Sequence, residues 1–257
     1  MAAGLLLVPV GLLGALAVEV GLAGRRTYAT AGSAPLVRGD YGAGAASVLA
    51  VLGDSTAAGL GVTSGDAGDT VGGQLATALA ATGRRVALRG FGVSGARAAD
   101  LDGQVDRLEA LLAEQRAAAP AAPAPVAPLV AVVLVGSNDA THLTSLVPVG
   151  EALGHAVLRL RALGARVVVG TCPDMGSARA FDQPLRAVVG WRGRAVARVE
   201  AAAVRAAGGE PVDLGALTGP QFRRDQATTS FDRFHPSVQG YGVWARALLP
   251  AVVRAAQ

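Results

Sequence analysis

The chain has 257 residues, enough for one α/β domain with an appended segment and a full hydrophobic core. Its net charge of +4 is modest, every basic residue is an arginine, and no basic block is interleaved with aromatic side chains, which disfavours nucleic-acid binding. Cys172 is the single cysteine, so an intramolecular disulfide and a cysteine zinc cluster are excluded. The chain has only three histidines, which disfavours a metal site built from several histidines.

Residues 4–24 form an almost uninterrupted apolar run in which Glu19 is the sole charge. That length suffices to cross a bilayer, and the run lacks the basic residues that precede an ordinary signal peptide. We therefore predict a single-pass membrane anchor over residues 1–24. The alternative is a buried core helix, which Glu19 and the following segment disfavour. Arginines after the run favour a cytoplasmic domain, but the side of the membrane stays open.

Residues 25–46 are rich in glycine, alanine and serine and predict a linker. The domain is predicted to occupy residues 47–257, where apolar runs alternate with helical patterns as in repeated βα units. The predicted strands are residues 47–52, 85–89, 129–135, 166–170 and 211–214. The predicted helices are residues 70–81, 98–116, 148–163 and 185–207, with a closing helix from about residue 236. The proline-rich tract 117–128 predicts a surface excursion.

Three unusual turns follow the first three predicted strands. Ser55 follows the first, Gly95 the second and Asn138 the third. Ligands of a doubly wound sheet bind at the carboxyl ends of its parallel strands, where these turns occur. If the strand order is 2-1-3-4-5, the three turns are neighbours in space.

These residues match the needs of acyl transfer, which requires a nucleophile, a base and donors for a developing oxyanion. Ser55 can supply the hydroxyl and one backbone N–H, Gly95 a second N–H, and Asn138 a side-chain amide. Among the histidines, His235 is the best placed to act as base. Asp232 lies three residues before it and can accept its Nδ1 proton, which leaves Nε2 facing the serine.

The motifs resemble those of the SGNH (GDSL-type) hydrolase family, in the same order, over about residues 47–250. Gly53-Asp54-Ser55 is similar to the nucleophile block, and Ser94-Gly95 to the block whose glycine donates to the oxyanion. Gly136-Ser137-Asn138-Asp139 matches Gly-x-Asn-Asp, and residues 232–235 match Asp-x-x-His. The resemblance implies a catalytic triad of Ser55, His235 and Asp232, with an oxyanion hole from Ser55, Gly95 and Asn138.

The same resemblance implies a flavodoxin-like three-layer α/β/α sandwich with a mostly parallel five-stranded sheet in the order 2-1-3-4-5. It also implies a serine esterase that needs no metal or organic cofactor. The scarcity of aromatic side chains, which offers no platform for stacking sugars, favours small acyl or lipid esters over polysaccharides as its substrates. Two other functions stay open. One is acyl transfer to a sugar or lipid acceptor by the same site, and the other is a non-catalytic binding module tethered to the membrane.

Each motif alone has a plainer explanation. Residues 54–56 could cap a helix, and an isolated Asp-x-x-His pair is often a surface ion pair. Their joint occurrence at one sheet edge favours a catalytic site. His142 is interpreted either as a residue that lines the pocket or as a loop histidine. Cys172, which lacks a visible partner base, is interpreted as a small buried side chain.

Overall fold

A six-stranded sheet between two layers of helices forms the fold in a computed structural model that describes residues 2–118 and 127–257. The strands are β1 (Arg38–Tyr41), β2 (Ala45–Gly53), β3 (Arg84–Gly90), β4 (Leu129–Leu134), β5 (Ala165–Gly170) and β6 (Glu210–Val212). The helices are α1 (Ala2–Ala23), α2 (Val71–Ala80), α3 (Leu101–Ala118), α4 (Ser137–Thr141), α5 (Leu146–Ala162), α6 (Leu185–Ala206), α7 (Leu214–Arg224) and α8 (Val238–Ala255). Most of the predicted surface excursion, residues 117–128, lies outside the described residues.

The strand order is β1-β3-β2-β4-β5-β6, and the pairs that β2 through β6 form with one another are all parallel. The three-layer fold is therefore confirmed, as is the predicted order of the five parallel strands. The strand count is corrected by β1, which pairs antiparallel with residues 86–89 of β3. This strand lies inside the predicted linker 25–46. Its short polar sequence carries no hydrophobic alternation, and it forms because β3 would otherwise present unpaired backbone groups at the sheet edge.

The central strands are buried on both faces, as expected for parallel strands covered by helices. Leu49 and Val51 of β2 pack with α2 and α8, whereas Ala50 and Leu52 pack with α3, α5 and α6. The long predicted helices are all present. Helix α7 was not predicted, because two glycines and Pro220 interrupt its pattern; the Asp213 carboxylate caps it by accepting a hydrogen bond from the Ala216 N–H.

No helix within the described residues is long and apolar enough to cross a membrane. The predicted anchor over residues 1–24 is thus not supported by the structure. The end of α1 contacts α6, and Glu19 is only 5% exposed. Its carboxylate accepts a hydrogen bond of 2.7 Å from the Asp182 N–H and pairs with Arg26. The expectation that Glu19 disfavours burial of this segment was therefore wrong for Glu19 itself, because a carboxylate that is hydrogen-bonded and paired can be buried.

Candidate active site

Ser55 lies in a turn that leaves the carboxyl end of β2. The preceding Asp54 donates its N–H to the Leu134 carbonyl, which ties the turn to β4. The Asp54 carboxylate accepts hydrogen bonds from the Thr56 N–H at 2.8 Å and the Thr56 hydroxyl at 2.7 Å. Residues 54–61 form turns and no regular helix begins there, so these residues do not serve as the cap of a helix. The local bonds instead fix the backbone on both sides of Ser55.

His235 lies beside Ser55 although 180 residues separate them in the chain. Its Nε2 is 3.0 Å from the Ser55 hydroxyl oxygen, and its Nδ1 is 2.6 Å from Asp232 Oδ2. Because a carboxylate only accepts, Nδ1 carries the proton and Nε2 is free to accept the serine proton. All three side chains are buried, with exposed fractions of 5–7%. The predicted nucleophile, base and orienting carboxylate therefore meet in one hydrogen-bonded relay.

Asp232 is held as a carboxylate by several donors. Burial alone would raise its pKa, but hydrogen bonds from the His235 ring and from the N–H groups of Ala29 and Phe234 outweigh burial and lower the pKa to about 2. The Asp232 charge is therefore retained throughout the neutral range. Sequence reasoning missed Ala29, because a backbone donor 203 residues away leaves no motif.

The predicted oxyanion donors face the same cleft as Ser55, which has a volume of about 580 Å³. Within the described residues, the N–H groups of Ser55 and Gly95 make no hydrogen bond to the protein. Gly95 has φ +83°, a conformation that glycine adopts without strain. The Asn138 amide donates to the Ala96 carbonyl at 2.9 Å and keeps a second hydrogen for another acceptor. These three groups can therefore donate to a bound oxygen.

Three buried carboxyl groups lie behind this edge of the sheet. Burial raises the pKa of Asp54 to about 6 and that of Glu200 to about 8, and it also raises the pKa of Asp139. Glu200 of α6 accepts the Cys172 N–H at 2.6 Å. A Cβ at Gly136 would lie only 2.2 Å from Glu200 Oε1, so this carboxyl packs directly beneath the turn that carries Asn138. Sequence reasoning missed Glu200, although its position on the buried stripe of an Arg-rich helix is a usable signal.

The Glu200 pKa predicts a pH-dependent stability. Between about pH 4.5 and pH 8 the folded chain keeps the Glu200 proton and the unfolded chain releases it, so stability falls as the pH rises. Glu200→Gln keeps an acceptor for the Cys172 N–H and removes this titration. We expect the free energy of unfolding in urea to fall less between pH 5 and pH 8 in Glu200→Gln than in wild type. Glu151→Gln, at an exposed carboxylate of α5, is the matched control. An unchanged slope in Glu200→Gln would contradict this assignment.

The other two histidines and the single cysteine lie outside the Ser55–His235–Asp232 relay. His142 lines the cleft and its Nδ1 is 2.9 Å from the Asn138 carbonyl oxygen. His155 is exposed, and its Nδ1 is within hydrogen-bond distance of the Asp102 carboxylate. Cys172 is buried, as predicted, and burial raises the pKa of its thiol. No group of three His, Cys, Asp or Glu side chains in the described ranges is placed to hold a metal ion.

The fold and the relay together define a class: a three-layer α/β protein with a serine, a histidine and an aspartate at the carboxyl edge of its parallel sheet. Comparison with known proteins narrows the class. A model of the GDSL-like Lipase/Acylhydrolase family matches residues 51–243. The chain belongs to this family, which confirms the resemblance to SGNH (GDSL-type) hydrolases.

A curated relative, "GDSL-like esterase Rv1075c" of Mycobacterium tuberculosis (strain ATCC 25618 / H37Rv), is 40% identical over 206 residues. The match covers 79% of this chain and 61% of the relative, so the chain spans about three fifths of that protein's length.

Solved structures share the fold. TesA superposes with a TM-score of 0.59 at 24% identity, covering 81% of this chain and 99% of TesA. A variant of Axe2, an acetyl xylan esterase from Geobacillus stearothermophilus, gives 0.54 at 21% identity, covering 82% and 96% of the two chains.

Proposed function

We propose that this chain is a serine esterase that hydrolyses carboxylic esters with Ser55 as nucleophile, His235 as general base and Asp232 as the group that orients the histidine. The observation that carries the proposal is the continuous Ser55–His235–Asp232 relay at the cleft. Membership of a lipase and acylhydrolase family supports the same reaction class. The curated relative from Mycobacterium tuberculosis is named as an esterase.

The proposed reaction has two halves. His235 Nε2 takes the hydroxyl proton while Ser55 Oγ attacks the ester carbonyl carbon, and the resulting oxyanion accepts hydrogen bonds from Ser55, Gly95 and Asn138. The tetrahedral intermediate then expels the alcohol oxygen, which receives the proton from His235. In the second half, water gives a proton to His235 and attacks the acyl-serine. Collapse of the second intermediate releases the carboxylic acid and returns the proton to Ser55.

A fluorophosphonate probe tests the nucleophile directly, because it phosphonylates only an activated serine. We expect covalent labelling of Ser55 in the folded protein, mapped by peptide mass spectrometry, together with hydrolysis of p-nitrophenyl acetate. Labelling should disappear in Ser55→Ala and in His235→Ala. Folded wild-type protein that neither takes the label nor hydrolyses the ester would favour the binding-module alternative. Product analysis with an added alcohol acceptor separates hydrolysis from acyl transfer.

Asn138→Ala is expected to lower kcat by about 10²- to 10³-fold with a smaller effect on KM, since loss of one oxyanion donor costs this much in comparable sites. The donor acts mainly once negative charge develops on the substrate oxygen, which explains the separation between kcat and KM. Steady-state kinetics with p-nitrophenyl acetate measure both constants, and a thermal melt checks the fold because Asn138 also holds the Ala96 carbonyl. An unchanged kcat would remove Asn138 from the mechanism.

The cleft supports an apolar acyl or lipid ester as substrate. Around Ser55 it is lined by the apolar residues Val20, Ala23, Phe181, Leu185, Val189 and Phe234. Apolar walls favour burial of a hydrocarbon chain by about 0.8 kcal/mol for each methylene group. Activity toward p-nitrophenyl esters of increasing acyl length measures the chain length that this cleft accommodates.

A location at the cell membrane, through residues 1–24, stays a prediction. It depends on the apolar sequence of this segment and on exposed apolar side chains of α1, such as Leu13 and Leu22. Carbonate extraction of membranes from cells that express the full chain tests it. Recovery of the protein in the supernatant before extraction would contradict the anchor.

A further inference from the structure

Residues 19–29, which we call the N-terminal arm, lie against the catalytic relay. Glu19 and Arg26 of the arm make polar contacts to Asp182, in the loop before α6. Glu19 accepts the Asp182 N–H, and the Arg26 guanidinium is 2.9 Å from the Asp182 carboxylate. This guanidinium lowers the pKa of Asp182. The arm is therefore held in place by residues outside the relay.

The other end of the arm touches the relay itself. The Ala29 N–H donates to Asp232 Oδ2 at 3.0 Å, and the same oxygen accepts the His235 Nδ1 proton. The Asp232 carboxylate receives three further hydrogen bonds, all from its own loop: the N–H groups of Phe234 and His235 and the His235 ring. Ala29 is thus the one donor to this carboxylate, among the described residues, that comes from a distant part of the chain.

The arm also supplies part of the cleft surface. Val20, Ala23 and Tyr28 line the same cleft as Gly95 and Asn138. The Tyr28 ring meets Phe234 edge to face at 5.7 Å, and Phe234 in turn meets the His235 ring at 5.1 Å. The Tyr28 hydroxyl donates to the Ala23 carbonyl, which closes the arm on itself. A substrate bound at Ser55 would therefore contact the arm.

We propose that the N-terminal arm is an integral part of the active site, with two roles. The Ala29 N–H is a positioning donor that fixes the Asp232 carboxylate for His235, and Val20 and Ala23 form one wall of the ester-binding cleft. The inference rests on the proposed esterase function. It makes the segment before the sheet a determinant of rate and of substrate choice, in addition to any role in location.

A pair of proline variants of the full chain tests the positioning role. Ala29→Pro removes the N–H that Asp232 accepts. Ala31→Pro is the matched control, because Ala31 follows an extended residue, begins a short 3-10 helix and donates no hydrogen bond among the described residues. The readouts are kcat and KM for p-nitrophenyl acetate, determined separately, and the melting temperature.

We expect Ala29→Pro to lower kcat by about 10-fold or more with little change in KM, as for loss of a hydrogen bond to a charged group. Ala31→Pro should match wild type within twofold. Wild-type kcat in folded Ala29→Pro, or a loss of activity that appears in KM and not in kcat, would overturn the positioning role.

If Ala29→Pro does not fold, the double variant Glu19→Ala/Arg26→Ala takes its place, because it removes both contacts of the arm to Asp182 without touching the relay. A wild-type kcat in this variant would overturn the positioning role. Failure of the function itself looks different: the wild-type protein would then not hydrolyse the ester, or Ser55→Ala would hydrolyse it at the wild-type rate. Failure of the inference alone leaves wild type active, Ser55→Ala inactive and the arm variants unaffected.

A second pair of variants tests whether α1 forms a wall of the ester-binding cleft. Val20 and Val18 are both exposed on α1, at 54% and 63%, but only Val20 lines the cleft. Val20→Trp should lower kcat/KM for p-nitrophenyl octanoate at least fivefold relative to the acetate, by narrowing the cleft. Val18→Trp should leave this ratio unchanged. Equal octanoate-to-acetate ratios of kcat/KM in the two variants would contradict the proposal that Val20 forms a wall of the cleft.

Discussion

Replacing Ser55 by alanine is expected to lower kcat for p-nitrophenyl acetate by about 10⁴- to 10⁶-fold, as removal of the nucleophile does in other serine hydrolases. The hydroxyl lies 3.0 Å from His235 Nε2 in a buried position, and no other side chain among the described residues hydrogen-bonds this nitrogen. The substitution removes one oxygen from a small pocket and leaves the backbone donors intact. The melting temperature should therefore stay close to that of wild type.

His235→Ala should cost nearly as much as Ser55→Ala, and the double variant no more than either single one. The two residues act as one unit, so once one is absent the other contributes little. His155→Ala is the matched control, since this histidine is exposed on α5 and pairs with Asp102 away from the cleft. Additive losses in the double variant, or a wild-type rate in His235→Ala, would contradict the relay.

The relay could be predicted from sequence because its members are chemically distinctive. A serine, a glycine and an asparagine each follow an apolar strand, and parallel strands bring their carboxyl ends to one edge. Asp232 and His235 are near neighbours in the chain, so their pairing needs only local geometry. Structure adds the contact between His235 and Ser55 across 180 residues, which sequence order alone does not measure.

Other parts of the site had no sequence signal. Ala29 contributes a backbone N–H, which every residue except proline carries, so its role depends only on where the arm lies. Strand β1 forms because an edge was available, and its four residues show no alternation of apolar and polar side chains. Glu200 and Gln104 were detectable in principle, since each is a polar residue on the buried face of a helix and must find a partner there.

Gln104 holds the backbone of Gly53, which lies two residues before the proposed nucleophile. Its side-chain amide accepts the Gly53 N–H at 2.7 Å and donates to the Gly53 carbonyl at 2.8 Å. The Val93 N–H donates to the same carbonyl, which links the turn after β3 to the end of β2. The position of the Gly53 backbone therefore helps to set both the Ser55 turn and the segment that leads to Gly95.

Gly53→Ala is expected to destabilise the fold by about 4 kcal/mol or more, which is near the upper end for a single substitution. Gly53 has φ +132°, and a Cβ there would lie only 1.7 Å from the Leu134 carbonyl oxygen of the neighbouring strand. Relief would require β2 and β4 to separate, which breaks the Asp54-to-Leu134 hydrogen bond and the Gln104 contacts. Since domains are stable by only about 5–15 kcal/mol, much of the protein should be unfolded or insoluble.

Gly103→Ala provides the matched control for the same chemical change. Gly103 lies within α3, nothing lies within 4 Å of its Cβ position, and alanine there should stabilise the fold by about 0.5–1 kcal/mol. Urea unfolding followed by circular dichroism measures both variants against wild type. A Gly53→Ala protein with a wild-type midpoint would mean that the backbone at the nucleophile turn can relax, and that Gly53 does not set the position of Ser55.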